Sequence, residues 1–219
     1  MDIIGKTMIP VFEAKSCISE IVYDKIYDYW TLQKDWIVVD LGAYCGEYSL
    51  YVADKVAKVY AIEPQKTIFD LMIKNIEMNN LKDKILPFQI LITDRDGKEK
   101  FYYDNGVSSS IYETAKSLHN FTKEIDMECT TWNSFCIKNE IARIDLLKMD
   151  VEGAEGSVLR GLGDNKPIRI MVSYYHGFLT SVLHKVETEH ELIQMLINLG
   201  YKIVYRNKHT LFAELIEGQ

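Results

Sequence analysis

Short apolar runs alternate with helical stripes along most of this chain, and that alternation restricts the fold more than any other feature. Trp36–Leu41 is a buried-type run ending in Asp40 and Leu41 before Gly42; Lys58–Glu63 is a second, stopped by Pro64; Ile85–Ile92 is a third. Each is short, rich in apolar residues and bounded by turn residues, the pattern of a strand covered on both faces. Between them Glu47–Val56 reads as a helix, and Thr67–Asn79 carries Ile68, Leu71, Met72 and Ile76 as one helical stripe. The pattern resumes with strand Ile144–Asp150, helix Ala154–Leu162, strand Ile168–Tyr174 and helix Glu189–Leu199, which Gly200 closes. Tyr201–Tyr205 and Thr210–Ile216 then read as an antiparallel pair across Arg206-Asn207-Lys208. Repeated strand–helix units predict an α/β fold with a doubly wound parallel sheet.

Three segments lie outside that rhythm. Ile18, Ile21, Val22, Ile26 and Tyr29 predict a leading helix, so residues 1–35 read as an N-terminal helical extension and 36–219 as the main domain. Asp94–Gly97 predicts a turn and Lys98–Tyr103 a short strand. Asn105–Asn120 is polar and is expected to be a long loop over the top of the sheet.

At 219 residues the chain has room for one domain of this kind. Its 25 basic and 32 acidic residues give a formal charge of −7, which argues against nucleic acid or an anionic membrane as partner. Cys17, Cys45, Cys129 and Cys136 form no C-x-x-C pair, so no metal is expected and the thiols read as reduced apolar fillers. No signal-peptide pattern opens the chain and no run is long enough to span a membrane, so the expected location is the cytoplasm.

Ligands of doubly wound sheets bind beyond the carboxyl ends of the strands, and five such ends carry chemistry here. The first is Asp40, followed by a turn through Gly42, Ala43, Tyr44 and Gly46 to Tyr48. Glycines let backbone approach a ligand closely, and the turn amides can receive a carboxylate or phosphate. The second is Glu63, about 20 residues on, where an acid suits the two hydroxyls of a ribose. A dinucleotide fingerprint would need glycine at Tyr44 and Glu47, and Glu47 would repel a pyrophosphate. S-adenosylmethionine has the ribose without the phosphates; Asp40 can take its ammonium, directly or through water, and the turn amides its carboxylate. The third end, Asp94, either accepts from an adenine amino group or simply opens its turn. The fourth is Lys148 with three acids, Asp150, Glu152 and Glu155, which can bind a cation, take a proton or complement a helix dipole. The fifth carries His176, a candidate base with a suitable ordinary pKa.

Three stretches carry a family resemblance: Val39–Tyr48, Ala61–Pro64, and Ile144–Glu155 continued by Val158–Gly161. Together they resemble the FkbM family of S-adenosylmethionine-dependent methyltransferases, over roughly Trp36 to Tyr205. The Asp94–Gly97 turn and the Ser108–Ser110 loop also sit where the family has similar features. The resemblance implies the class I methyltransferase (Rossmann-like) fold, a seven-stranded sheet with its last strand antiparallel, and S-adenosylmethionine as cofactor. It implies methyl transfer, mostly to oxygen, on sugars or secondary metabolites. The expected cofactor set is Asp40, Gly42, Ala43, Tyr44, Gly46, Tyr48, Glu63, Pro64, Asp94 and Asp150, with Asp150 and His176 as candidate bases. The family has Asn at the position of Tyr44, and a Glu ahead of the His where this chain has Ser173-Tyr-Tyr-His176. The expected partner is a small-molecule acceptor, with a homo-oligomer possible. The rival readings are a non-catalytic S-adenosylmethionine-binding protein on the same fold and an NAD-dependent oxidoreductase.

Overall fold

The computed structural model describes residues 19–103, 109–111, 123–174 and 186–216. Strands β1 (Ile37–Leu41), β2 (Lys58–Ile62) and β3 (Ile85–Phe88) pair in parallel on one side of the sheet. Strand β8 (Leu146–Met149) pairs with the other edge of β1, and β9 (Arg169–Ser173) follows it, both parallel. The hairpin β10 (Tyr201–Arg206) and β11 (Thr210–Leu215) completes the sheet, with β11 inserted antiparallel between β9 and β10. The order is β10-β11-β9-β8-β1-β2-β3. It reverses direction at β1, between β2 and β8, and there the strand tips part to leave a crevice.

Helices α1 (Glu47–Ala53), α2 (Lys66–Met78), α3 (Trp132–Lys138), α4 (Glu155–Arg160) and α5 (Glu189–Asn198) cover the two faces. Alternation along β1 explains how. Val38 joins Leu50, Val52, Met72 and Ile76 in one apolar layer. Val39 and Leu41 join Trp132, Phe135, Val158, Leu159, Leu192 and Leu196 in the other. Both faces of the central strands are therefore dry, which is why they read as continuous apolar runs. Cys45, Cys129 and Cys136 are buried and free, packed as small apolar groups.

Four expectations change in detail. The leading helix is a single π-helical turn, Ser19–Tyr23. Asp24 donates to the Ser19 carbonyl, and Lys25 at φ 52° cannot continue a right-handed helix. The run Ile85–Ile92 is two strands. β3 lies at the sheet edge with Pro87 lacking a donor, and the chain leaves after Phe88 to form β4 (Leu91–Thr93) elsewhere. A strand and a helix absent from the sequence reading follow: β7 (Lys123–Thr131) and α3, the latter capped by the Thr131 side chain on Ser134 N–H. Finally, β4, β7, β5 (Gly97–Tyr103) and β6 (Ser109–Ser110) form a second, four-stranded sheet. The expected covering loop contributes β6 to it; the remainder of 105–120, apart from Ile111, lies outside the described residues.

Candidate active site

Two glycines set the shape of the turn after β1. Gly42 has φ 75°, and a Cβ there would sit 1.8 Å from the Asp150 carbonyl oxygen, so only glycine lets β1 and β8 approach this closely. Gly46 has φ 88° and begins α1; a Cβ there would press on Met72 at 3.1 Å. Tyr44, between them, also has a positive φ of 50°. That conformation is easier for Asn, the residue the family carries, than for Tyr.

The turn amides are satisfied within the chain. Gly42 and Ala43 donate to the Ile62 carbonyl, Gly46 to that of Ala43, and Tyr44 to Glu63 Oε2 at 3.1 Å. This corrects the expectation that these amides await a ligand carboxylate. Glu63 Oε1 accepts from Gln65 N–H at 2.8 Å, so this acid ties the β1 turn to the β2 turn while facing the crevice. Burial pushes its carboxyl up to about 7 against those two hydrogen bonds.

Asp40 and Lys148 are register neighbours on parallel strands, so their side chains share a face. Lys148 Nζ lies 3.1 Å from Asp40 Oδ1 and donates to the Gly42 carbonyl at 3.1 Å. Asp40 Oδ2 accepts from the Ser49 amide and hydroxyl at 3.1 and 2.7 Å. Asp40 is fully buried and does not reach the cavity. Its bonds to Ser49 tie the end of β1 to α1. Burial disfavours the charged Lys148, but Asp40 and Asp150 outweigh it and its ammonium is held above its ordinary pKa.

A cavity of about 260 Å³ opens at the tips of β1, β2 and β8, where the strand order reverses. Gly42, Ala43, Tyr44, Tyr48, Glu63, Pro64 and Asp150 all face it. Ile90, Leu91, Ile92, Phe101 and Ile111 make an apolar wall, all brought by the second sheet or its flanks. Among the described residues, the ionisable carboxylates and amines around it are Glu20, Glu47, Glu63, Asp150 and Glu152 against Lys148. Gly46, one residue from the lining, shapes the turn from behind.

Asp94 does not join this set. Its Oδ2 accepts from Arg160 Nε at 3.2 Å, its amide donates to Ser157 Oγ, and it does not line the cavity. The third strand end brings Ile90, Leu91 and Ile92 to the crevice instead. His176 lies outside the described residues. Among the described residues no cluster of three or more metal-ligating side chains forms, and no helix is long and apolar enough to cross a membrane.

Tyr27 is the residue that strand-end reasoning missed. It comes from the N-terminal segment, and its hydroxyl donates to Asp150 Oδ2 at 2.8 Å. Its ring meets Tyr48 edge-on at 5.4 Å and lies under the Lys148 ammonium. Burial, then the Asp150 charge, holds the phenol well above its ordinary pKa, so it stays a donor. It lies outside the series Ile18, Ile21, Val22, Ile26 and Tyr29, so nothing in the sequence pattern marked it.

Residues 40–203 match the family model described as the methyltransferase FkbM domain. The chain is 27% identical over 181 residues to "Methyltransferase sdnD" of Sordaria araneosa, covering 69% of this chain and 70% of that protein. It is 30% identical over 165 residues to "Methyltransferase 1" of Beauveria bassiana, covering 66% of each. An O-methyltransferase family protein from Burkholderia thailandensis shares the fold, with a TM-score of 0.57 at 13% identity over 94% of this chain and 59% of that one.

Proposed function

We propose, for a chain that belongs to the FkbM methyltransferase family and uses S-adenosylmethionine, that it methylates a hydroxyl of a small polar acceptor from the cavity at the tips of β1, β2 and β8. The observation that carries this reading is the chemistry of the lining: five carboxyl groups, one lysine and an apolar wall. Such a set suits a ligand with cationic centres and a flat heterocycle, and it disfavours a pyrophosphate. Bound S-adenosylmethionine supplies an electrophilic methyl group on a sulfonium.

The chain's own residues have separable tasks. Glu63, fixed by Tyr44 and Gln65 amides, keeps its carboxyl against the crevice to hold the ribose hydroxyls. Gly42, Ala43, Tyr44 and Pro64 shape the floor, Gly46 and Asp40 hold the turn, and Tyr48 closes its side. Ile90, Leu91 and Ile92 take the adenine in place of Asp94. Asp150 lines the cavity just after β8, where a carboxylate can accept the acceptor's hydroxyl proton. His176 shares that assignment on its sequence position. Transfer is an in-line displacement, so holding donor and acceptor in line contributes most of the rate.

The segment from Ser19 to Asp35 acts as a cap on the site, supplying Glu20, Ile21 and Tyr27 to the cavity. An acidic lining and a net charge of −7 favour a small acceptor over nucleic acid.

Transfer of labelled methyl from S-adenosylmethionine to a panel of free sugars and hydroxylated metabolites, with RNA alongside, tests the acceptor class. Label on a small hydroxyl compound, reduced at least a hundredfold by Asp150→Asn, is the expected result; general base catalysis is worth about 10²–10⁴. Label confined to RNA, or full turnover by the variant, would contradict it.

A further inference from the structure

Among the acids around the cavity, Glu47 is nearly fully buried, and no side chain or backbone group of another described residue donates a hydrogen bond to its Oε1. It is 2% exposed and lines the cavity. Among the described residues, its carboxyl accepts a hydrogen bond from its own backbone N–H. A buried polar atom without a partner costs about 1–3 kcal/mol and calls for an explanation such as a ligand that completes it. Asp40, to which the sequence pattern gave the cofactor's ammonium, is engaged by Ser49 and Lys148 and does not reach the cavity.

The charges facing Glu47 come from every side. Asp40 on β1 and Glu63 after β2 oppose its ionisation, and Lys148 on β8 favours it but is already held by Asp40 and the Gly42 carbonyl. Glu20 from the π-helical turn and Asp150 at the tip of β8 add negative charge to the same cavity. Tyr27 and Tyr48 stay neutral beside them.

We propose that Glu47 takes the positive charge of bound S-adenosylmethionine, giving up its proton to solvent as the cofactor enters. The inference rests on the cavity being the cofactor site. A neutral carboxyl and a cationic ligand become a carboxylate–cation pair, and one proton leaves to the buffer. Burial, with Asp40 and Glu63 adding to it, pushes the free carboxyl up to about 8, so at neutral pH it is protonated until a cation arrives.

Calorimetric titration of the full chain with S-adenosylmethionine, between pH 6.5 and 9 in buffers of different ionisation enthalpy, counts the protons. The ligand's amino group titrates in the same range, near ~8, so the difference between wild type and Glu47→Gln isolates Glu47. Wild type should release close to one proton more than the variant near pH 6.5. The variant should bind at least about a hundredfold more weakly at pH 9, the loss of a charge-assisted contact, with the gap narrowing toward pH 6.5. Glu155→Gln, at a buried acid off the cavity, should keep the wild-type release. Equal proton release and equal pH dependence in wild type and Glu47→Gln would overturn the inference. No binding by wild type would instead overturn the cavity assignment. If a thermal melt shows that Glu47→Gln fails to fold, wild type decides alone: no proton released at pH 6.5 sinks the proposal.

Discussion

Asp40 and Lys148 show how much a register pair fixes. Two charges with side-chain exposures of 0% and 6% face each other at 3.1 Å, and Ser49 and the Gly42 carbonyl occupy the remaining directions. Removing one partner leaves a buried, uncompensated charge, which costs about 3–5 kcal/mol. Asp40→Ala and Lys148→Ala should each lose that much in urea denaturation, and the double variant should lose less than their sum. Losses under about 1 kcal/mol would mean that the pair is solvated. The acids and glycines of the strand tips were legible because turn chemistry and spacing announce them. What Asp40 does was not legible: a sequence shows an acid beside a ligand loop, and only packing shows that Oδ2 is bonded to Ser49 and that the carboxylate faces Lys148 away from the cavity. Tyr27 was hidden for a similar reason: it falls outside the apolar stripe of the leading segment, and a sequence does not show whether its hydroxyl meets water or Asp150. Tyr27→Phe should cost about 1–2 kcal/mol in a thermal melt and lower turnover; unchanged stability and turnover would detach Tyr27 from Asp150.

At the scale of elements, the site depends on β1 and β8 ending almost in contact. The Asp150 amide donates to the Leu41 carbonyl, and the Asp150 carbonyl occupies the space where a Cβ on residue 42 would lie. Gly42→Ala must therefore splay the two tips and adopt a φ of 75° that alanine resists. It should destabilise by roughly 3 kcal/mol or more and abolish cofactor binding in whatever folded fraction remains; a stable variant that still binds would contradict the close approach. The central strands and most helices were readable because burial on both faces leaves unbroken apolar runs. The second sheet was not, although β7 carries Ile125, Met127 and Cys129 at period two. That alternation is interleaved with Glu, Asp and Lys, and its small core of Leu91, Phe101 and Cys129 is assembled from three separate segments.

At the scale of the whole molecule, an acidic crevice makes stability depend on pH. Burial pushes Glu47 up to about 8 and Glu63 and Glu155 up to about 7, whereas an unfolded Glu titrates near ~4.3. Between about pH 4 and 8 the folded chain therefore holds more protons than the unfolded one, and stability falls as pH rises through that window. These carboxyls are neutral in both states below it, and the loss is complete above it. The Tm of the ligand-free protein should decline from pH 5.5 to 8.5, less steeply in Glu47→Gln; a flat or rising Tm would count against raised carboxyls. The same acidity gives the net charge of −7 a local meaning, because five of the acids surround one cavity.

The account stands or falls on that cavity. A crystal structure with S-adenosylhomocysteine should place the ribose hydroxyls on Glu63, the adenine against Ile90–Ile92 and the sulfur facing Asp150. The ligand bound elsewhere, or bound here with Glu63 away from the ribose, would contradict it.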